Sequence, residues 1–243
     1  MIGFTFNGRH CSKFGIVMRS KNRQLLPEPN DSYVQVPGRQ GSILFPRELA
    51  DRKIEIDCAF VEKSLLDLRT KVREIAAWLY TENREILSFD DESEKYYRGK
   101  LAQAIDFEHL AVMGQFSLIF ECEPLAYGAE VLASFINDTA TVNNQGTFES
   151  YPVFTVTFTA AASEWKVTGP GSDYIRVVHA FQPGDVLEVN TATGAILING
   201  TRAMDKLDWQ NSRFFCLRVG ESVLNVTPAG VCSTRVSWVP RYL

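Results

Sequence analysis

The stretch KIEIDCAF at 53–60, followed by LLDLRTKVREIAAWL at 65–79, decides the fold, because the spacing of its apolar residues changes from two to between three and four. Ile54, Ile56, Cys58 and Phe60 fall on one side of the first segment and Lys53, Glu55 and Asp57 on the other, the pattern of a half-buried strand. From Ser64 onward Leu65, Leu68, Val72, Ile75 and Leu79 line one face of a predicted helix. Ser64 is placed to cap its first turn, with Asp67 three residues on as the second half of a capping box. A helix this short is marginal by propensity alone, so its apolar stripe must be buried against a neighbour. Period two returns at 86–89, an acidic run turns the chain at 90–94, and 96–101 comes back as a strand. Strand, helix and hairpin therefore share one apolar seam.

The chain has 243 residues, 45% of them apolar, enough for one large or two modest globular domains. Its formal charge of −4 offers no cationic surface for gripping nucleic acid. Cys11, Cys58, Cys122, Cys216 and Cys232 are odd in number, widely spaced and never arranged as CxxC, so reduced structural thiols are expected, with Cys58, Cys122 and Cys216 in the core. Met1 is followed by no basic region and no long apolar run, which predicts neither a standard secretion signal nor a membrane span.

Working outward, 2–7 alternates as a first strand, Asn7-Gly8 is a turn pair, and 14–18 is extended. The segment 20–46 carries Pro27, Pro29, Pro37 and Pro46 with Gly38 and Gly41, which rules out long helices. It reads as a projecting hairpin built from 33–36 and 42–45, either a surface loop or an arm for a partner subunit. A further strand at 116–122 ends at Pro124, residues 125–134 read as a passage, and a domain boundary is expected near 134. Beyond it, strands are predicted at 152–159, 165–168, 174–178, 186–190, 195–199, 213–219, 222–226 and 234–239, with turns at 169–171, 193–194, 199–200 and Gly220. That is the signature of an antiparallel β-sandwich.

Motifs of catalysis are absent: there is no GxSxG, HExxH or Walker loop. His10, His109 and His179 lie in separate segments with no ligand-type neighbours at metal spacing. Asp90, Asp91, Glu92 and Glu94 lack the spacing and glycine of a calcium loop and read as a solvated hairpin tip. No cofactor is expected. Trp165, Tyr174, Trp209 and Trp238 are either core residues or a stacking surface for a sugar, and the galectin-type HxNxR pattern is missing after His179.

The order of several segments resembles the distal tail proteins of long-tailed bacteriophages, also known as phage tail family proteins. These are FNG at 6–8, PGRQG at 37–41, KIEIDCAF leading to the helix ending AAWL, YYRGKL at 96–101 and CEPLAYG at 122–128. NxGT at 144–147 with YPVF at 151–154, GDVLEVNTATGAILING at 184–200 and the closing VSWVPRYL complete the set. The resemblance implies a mostly β protein with one main α-helix. Residues 1–134 would form a β-sandwich or split-barrel-like domain with helix and projecting hairpin arm, and 135–243 a galectin-like β-sandwich. It further implies a non-enzymatic virion protein, made in the host cytoplasm, whose first domain assembles as a hexameric ring at the tail end. The ring would join the tail tube protein and tape-measure protein end to the tail-associated adhesion or fibre protein, with DNA passing through ungripped. Arg39, Ile43 and Phe45, on the partly apolar arm, are the expected subunit contact. The alternatives are a carbohydrate-binding module for a host cell-wall sugar and a tail-borne hydrolase.

Overall fold

The computed structural model describes residues 3–60, 65–102 and 115–243, with the side chains of 60 and 65–70 left aside. The cap at Ser64, the side chains of Leu65, Asp67 and Leu68, and His109 lie outside what is described. Chain contacts divide the molecule into two compact units, one running to Tyr127 and the other from Gly128 to Tyr242. The division falls before 134 because Val131–Ser134 is itself a strand of the second unit, paired with Cys232–Trp238 from Val131 opposite Trp238 to Ser134 opposite Arg235.

In the first unit the strands follow the order Arg9–His10, Phe4–Phe6, Glu85–Phe89, Tyr96–Leu101, Gln115–Cys122, Arg52–Phe60, Ile16–Arg23. Every pairing along it is antiparallel. The period-two reading of 53–60 holds: Ile54, Ile56 and Cys58 are buried, while Lys53 and Asp57 face outward. Asn7 and Gly8, with φ of 46° and 68°, make the tight turn between the first two strands.

The C-terminal end of helix Leu65–Leu79 packs against the first strand and the 3₁₀ turn Cys11–Phe14. Ile75 and Leu79 are buried as the stripe predicts, and so is Trp78, a residue on the same face that the five-residue pattern passes over. Trp78 is the centre of the packing. Its ring stacks on Phe14 at 4.3 Å between centroids and meets Phe4 and Phe6, and its Nε1 donates to the Phe6 carbonyl at 2.8 Å. A buried indole N–H is stabilised by such an acceptor, and the bond favours one register of the helix against the first strand.

The second unit is a sandwich. Among the described residues one sheet runs Val131–Ser134, Cys232–Trp238, Val153–Phe158, Val186–Asn190, Ala195–Ile198, Thr201–Arg202. The other runs Thr139–Asn144, Gly220–Thr227, Ala162–Thr168, Tyr174–Phe181. Their inner faces meet in one core that includes Phe154, Trp165, Ile175, Phe181, Leu187 and Leu224. Residues 213–219 depart from the expected strand. Arg213 N bonds to the Tyr174 carbonyl, Leu217 makes an isolated bridge with Ser150, and Phe215 and Leu217 enter the core from irregular backbone. An apolar run marks burial, and here burial comes without a ladder. Of the five free cysteines, Cys11, Cys58 and Cys122 are buried, while Cys216 is only half-buried, its thiol bonded to Glu149 Oε2 at 3.1 Å.

Candidate assembly interface

Between Ile16–Arg23 and Arg52–Phe60 the chain makes a long antiparallel excursion. Pro29–Asn30 pairs with Glu48–Leu49, and Tyr33–Gln35 with Ser42–Leu44, Val34 lying opposite Ile43. Phe45 N donates to Ser32 O at 3.0 Å and Ala50 N to Glu28 O at 2.9 Å, so the two legs stay zipped between the ladders. Arg39 sits in the tip, where its amide bonds to the Val36 carbonyl. Gly38 and Gly41 reverse the chain there with φ of 83° and 81°, values that disfavour any side chain.

Side chains two apart on a strand share a face, and directly paired residues share it too. Val34, Val36, Ile43 and Phe45 therefore form one apolar face of the ribbon, with Tyr33 and Leu44 on the other. All six are exposed, Phe45 by 49% and Ile43 by 37%. Leu25 and Leu26, nearer the base, are exposed as well. A two-stranded ribbon carrying this much bare apolar surface is marginal in water by itself. Of the expected contact residues, Ile43 and Phe45 share the apolar face and Arg39 stands apart at the tip. Val34 and Val36 lie on the same face as Ile43 and Phe45, and their alternation with Tyr33 and Gln35 is visible in the sequence. Arg47 and Asp31 fasten the ribbon farther down with Nε to Oδ1 at 2.9 Å and Nη2 to Oδ2 at 3.1 Å.

The base of the arm is ionic. Lys21 and Arg23, on the strand at one edge of the sheet, bond to Asp91 and Glu92. Glu92 also pairs with Lys95 at 3.0 Å, and Asp90 accepts from Gly3 N at 2.8 Å and lies 3.2 Å from His10 Nε2. Asp90, Asp91 and Glu92 of the acidic run are thus paired anions in a short 3₁₀ turn, Asp90 and Asp91 still exposed to solvent, and Glu94 is exposed beyond it. Lys21 Nζ lies 4.5 Å from the ring centroid of Phe89, a residue four strand positions away in the ladder order. In a flat sheet that separation is about 19 Å. The sheet is therefore curled, and these pairs close the seam between its edge strand and the 90–92 turn. Burial pushes the Glu92 carboxyl up, but the bonds from Arg23 and Lys95 outweigh it and hold the group below its ordinary value.

Nothing among the described residues resembles a chemical centre. No His, Cys, Asp or Glu group there is arranged to hold a metal. Burial pushes the Cys58 and Cys122 thiols up to about 12, which makes them inert. Of the aromatics read as a sugar platform, Trp165 and Trp238 are core and Tyr174 lies under Lys166. Trp209 is exposed, its Nε1 tied to the Met204 carbonyl at 3.1 Å. No described helix is long and apolar enough to cross a membrane.

Comparison with known proteins places both units. A family profile described as the phage tail protein RIFT-related domain matches residues 9–122, and one described as the siphovirus-type tail component, C-terminal domain, matches 145–242. The distal tail protein of Bacillus phage SPP1 is 25% identical over 184 residues, which is 72% of this chain and 73% of that protein. The crystal structure of SPP1 Dit, described as a paradigm of hub adsorption apparatus in phages infecting Gram-positive bacteria, shares the fold with a TM-score of 0.80 at 20% identity over 100% of both chains. A chain of the phage P2 baseplate in its activated conformation with calcium matches at a TM-score of 0.53 and 10% identity over 98% of each chain.

Proposed function

The chain belongs to the siphovirus-type tail component family, the distal tail proteins found in the virion at the far end of long phage tails, and from that premise we propose that it works as a self-assembled hexameric ring. The observation that carries the reading is the arm with its bare face of Val34, Val36, Ile43 and Phe45. A closed ring needs one patch of each subunit to meet a different patch on the next, and a projecting ribbon supplies such a heterologous contact. The ring joins the tail tube and the tape-measure protein end on one side to the tail-associated adhesion or fibre protein on the other. The sandwich, whose core is complete within itself, serves as the attachment surface for other tip proteins. A chain of net charge −4 does not hold a passing duplex by counterion release. The role is structural and needs no catalysis, cofactor or membrane.

The test is the absolute mass of the purified chain by light scattering, with negative-stain images of the same fraction. A six-fold ring with an open centre is the expected result. A monomer whose mass is the same at every concentration refutes unaided ring formation. The carbohydrate alternative keeps one supporting feature, the exposed and tethered indole of Trp209. Binding to a cell-wall glycan array that disappears in Trp209→Ala would favour it.

A further inference from the structure

The two legs of the arm converge on one aromatic ring. Arg23 is the last residue of the outgoing strand Ile16–Arg23, and Arg52 is the first of the returning strand Arg52–Phe60. The guanidinium carbon of Arg23 lies 5.9 Å from the ring centroid of Tyr97, and that of Arg52 lies 5.8 Å from the same centroid. Tyr97 is buried and set edge-on to Phe89 at 6.4 Å. Its hydroxyl accepts from Arg23 Nη1 at 3.1 Å, and the same Nη1 reaches Glu92.

Arg52 makes this arrangement unusual. It is 3% exposed, and its Nε and Nη2 have no hydrogen-bond partner. A buried guanidinium with two nitrogens unpaired is costly, and the face of an aromatic ring, with its negative quadrupole, offsets part of that cost. A polar residue that costs stability on a buried sheet face calls for a role other than core filling. Among the described residues the ladders of the ribbon join only its own two legs, and at its base Asp51 adds an ion pair to Arg84 of the body. Its direction is therefore set at the base, and a two-stranded ribbon left to itself twists strongly.

We propose that Tyr97 is the positioning residue of the arm, a bearing on which Arg23 and Arg52 both rest and which sets the direction in which the apolar face is presented. The consequence for assembly rests on the arm being the subunit contact, whereas the mechanical role does not. The experiment therefore reads both. Spin labels on R39C and E94C, in a Cys216→Ser, Cys232→Ser background of the full chain, report the distance from the tip to the turn beside the bearing. Tyr97→Leu is expected to widen that distance distribution at least twofold, and Tyr97→Phe, which keeps the ring, to restore it. In the unlabelled chain Tyr97→Leu raises the concentration needed for assembly at least tenfold, and Tyr97→Phe returns it most of the way. Far-ultraviolet dichroism and the melting of the sandwich stay at the parent values throughout, which separates positioning from loss of fold. A distance distribution unchanged by Tyr97→Leu overturns the bearing. A widened distribution with unchanged assembly retains the bearing and refutes the arm as subunit contact.

Discussion

Placing aspartate at both Ile43 and Phe45 tests the assembly reading through a worked energy. Phe45 leaves 49% of its surface bare. For an aromatic side chain of about 200 Å² this is about 100 Å², and covering it gives about 2.5 kcal/mol at about 25 cal/mol per Å². Ile43, 37% exposed, adds about 1 kcal/mol by the same reckoning. Together they stabilise each subunit contact by about 3.5 kcal/mol, a factor of several hundred in its equilibrium constant. The charge of each aspartate, if buried in the contact, costs more. Because both residues are exposed on a ribbon that stands outside the core, the fold itself loses little. Light scattering over a thousandfold range of concentration is the assay, with the thermal melt of the isolated variant as control. The double variant is expected to remain a monomer where the parent is a ring, with a melting temperature close to the parent's. A variant that assembles at the parent's concentrations refutes the arm as the contact.

Three further outcomes are expected. Asn144→Ala removes a buried side chain whose Nδ2 donates to Phe148 O and Leu217 O at 3.0 Å and whose Oδ1 accepts from Gly146 N at 3.0 Å. It lowers the stability of the sandwich by about 3 kcal/mol, read from the urea midpoint, and an unmoved midpoint would show that those backbone groups are satisfied without it. Glu92, held below its ordinary value, contributes stability that is fully present above 4.5 and is lost as the pH falls through its lowered native value. The melting-temperature gap between the parent and Glu92→Gln is therefore wide at neutral pH and closes in acid; a gap that is the same at both ends counts against the ion pairs at the seam. Cys58 and Cys122, pushed up to about 12 by burial, stay unlabelled by iodoacetamide at pH 8 in the native chain and react once it is unfolded in urea. Labelling without unfolding would mean that this part of the core opens on its own.

Much of the architecture was legible because the periodicities are local. The change of spacing at 53–79 gave a strand followed by a helix, and the structure has Arg52–Phe60 and Leu65–Leu79 there. Tyr96–Leu101 and Val186–Asn190 fall where alternation puts them, and the prolines and glycines of 20–46 mark the arm. Val131–Ser134 and Thr139–Asn144 escaped notice, since the first is an edge strand with exposed Leu132 and the second alternates small polar residues with only two apolar side chains, Ala140 and Val142, buried beside the polar Asn144. The 213–219 segment was misread for the opposite reason, an apolar run buried without forming a ladder.

By itself, then, the sequence determined most of the strand segments, where the main helix lies, that the second half is a sandwich, and which family the order of its motifs resembles. Each of these depends on neighbours within a few residues. Only the tertiary structure decided that the sheet curls until Lys21 and Arg23 reach Asp91 and Glu92, seventy residues apart or nearly so. It also decided that Trp78 finds its acceptor at Phe6 O, and that both legs of the arm rest on Tyr97. An acidic run looks the same in a sequence whether water or arginine faces it, because the partners arrive from strands distant in the chain. Pairing of that kind is set by sheet curvature and strand order, which no local pattern of residues encodes.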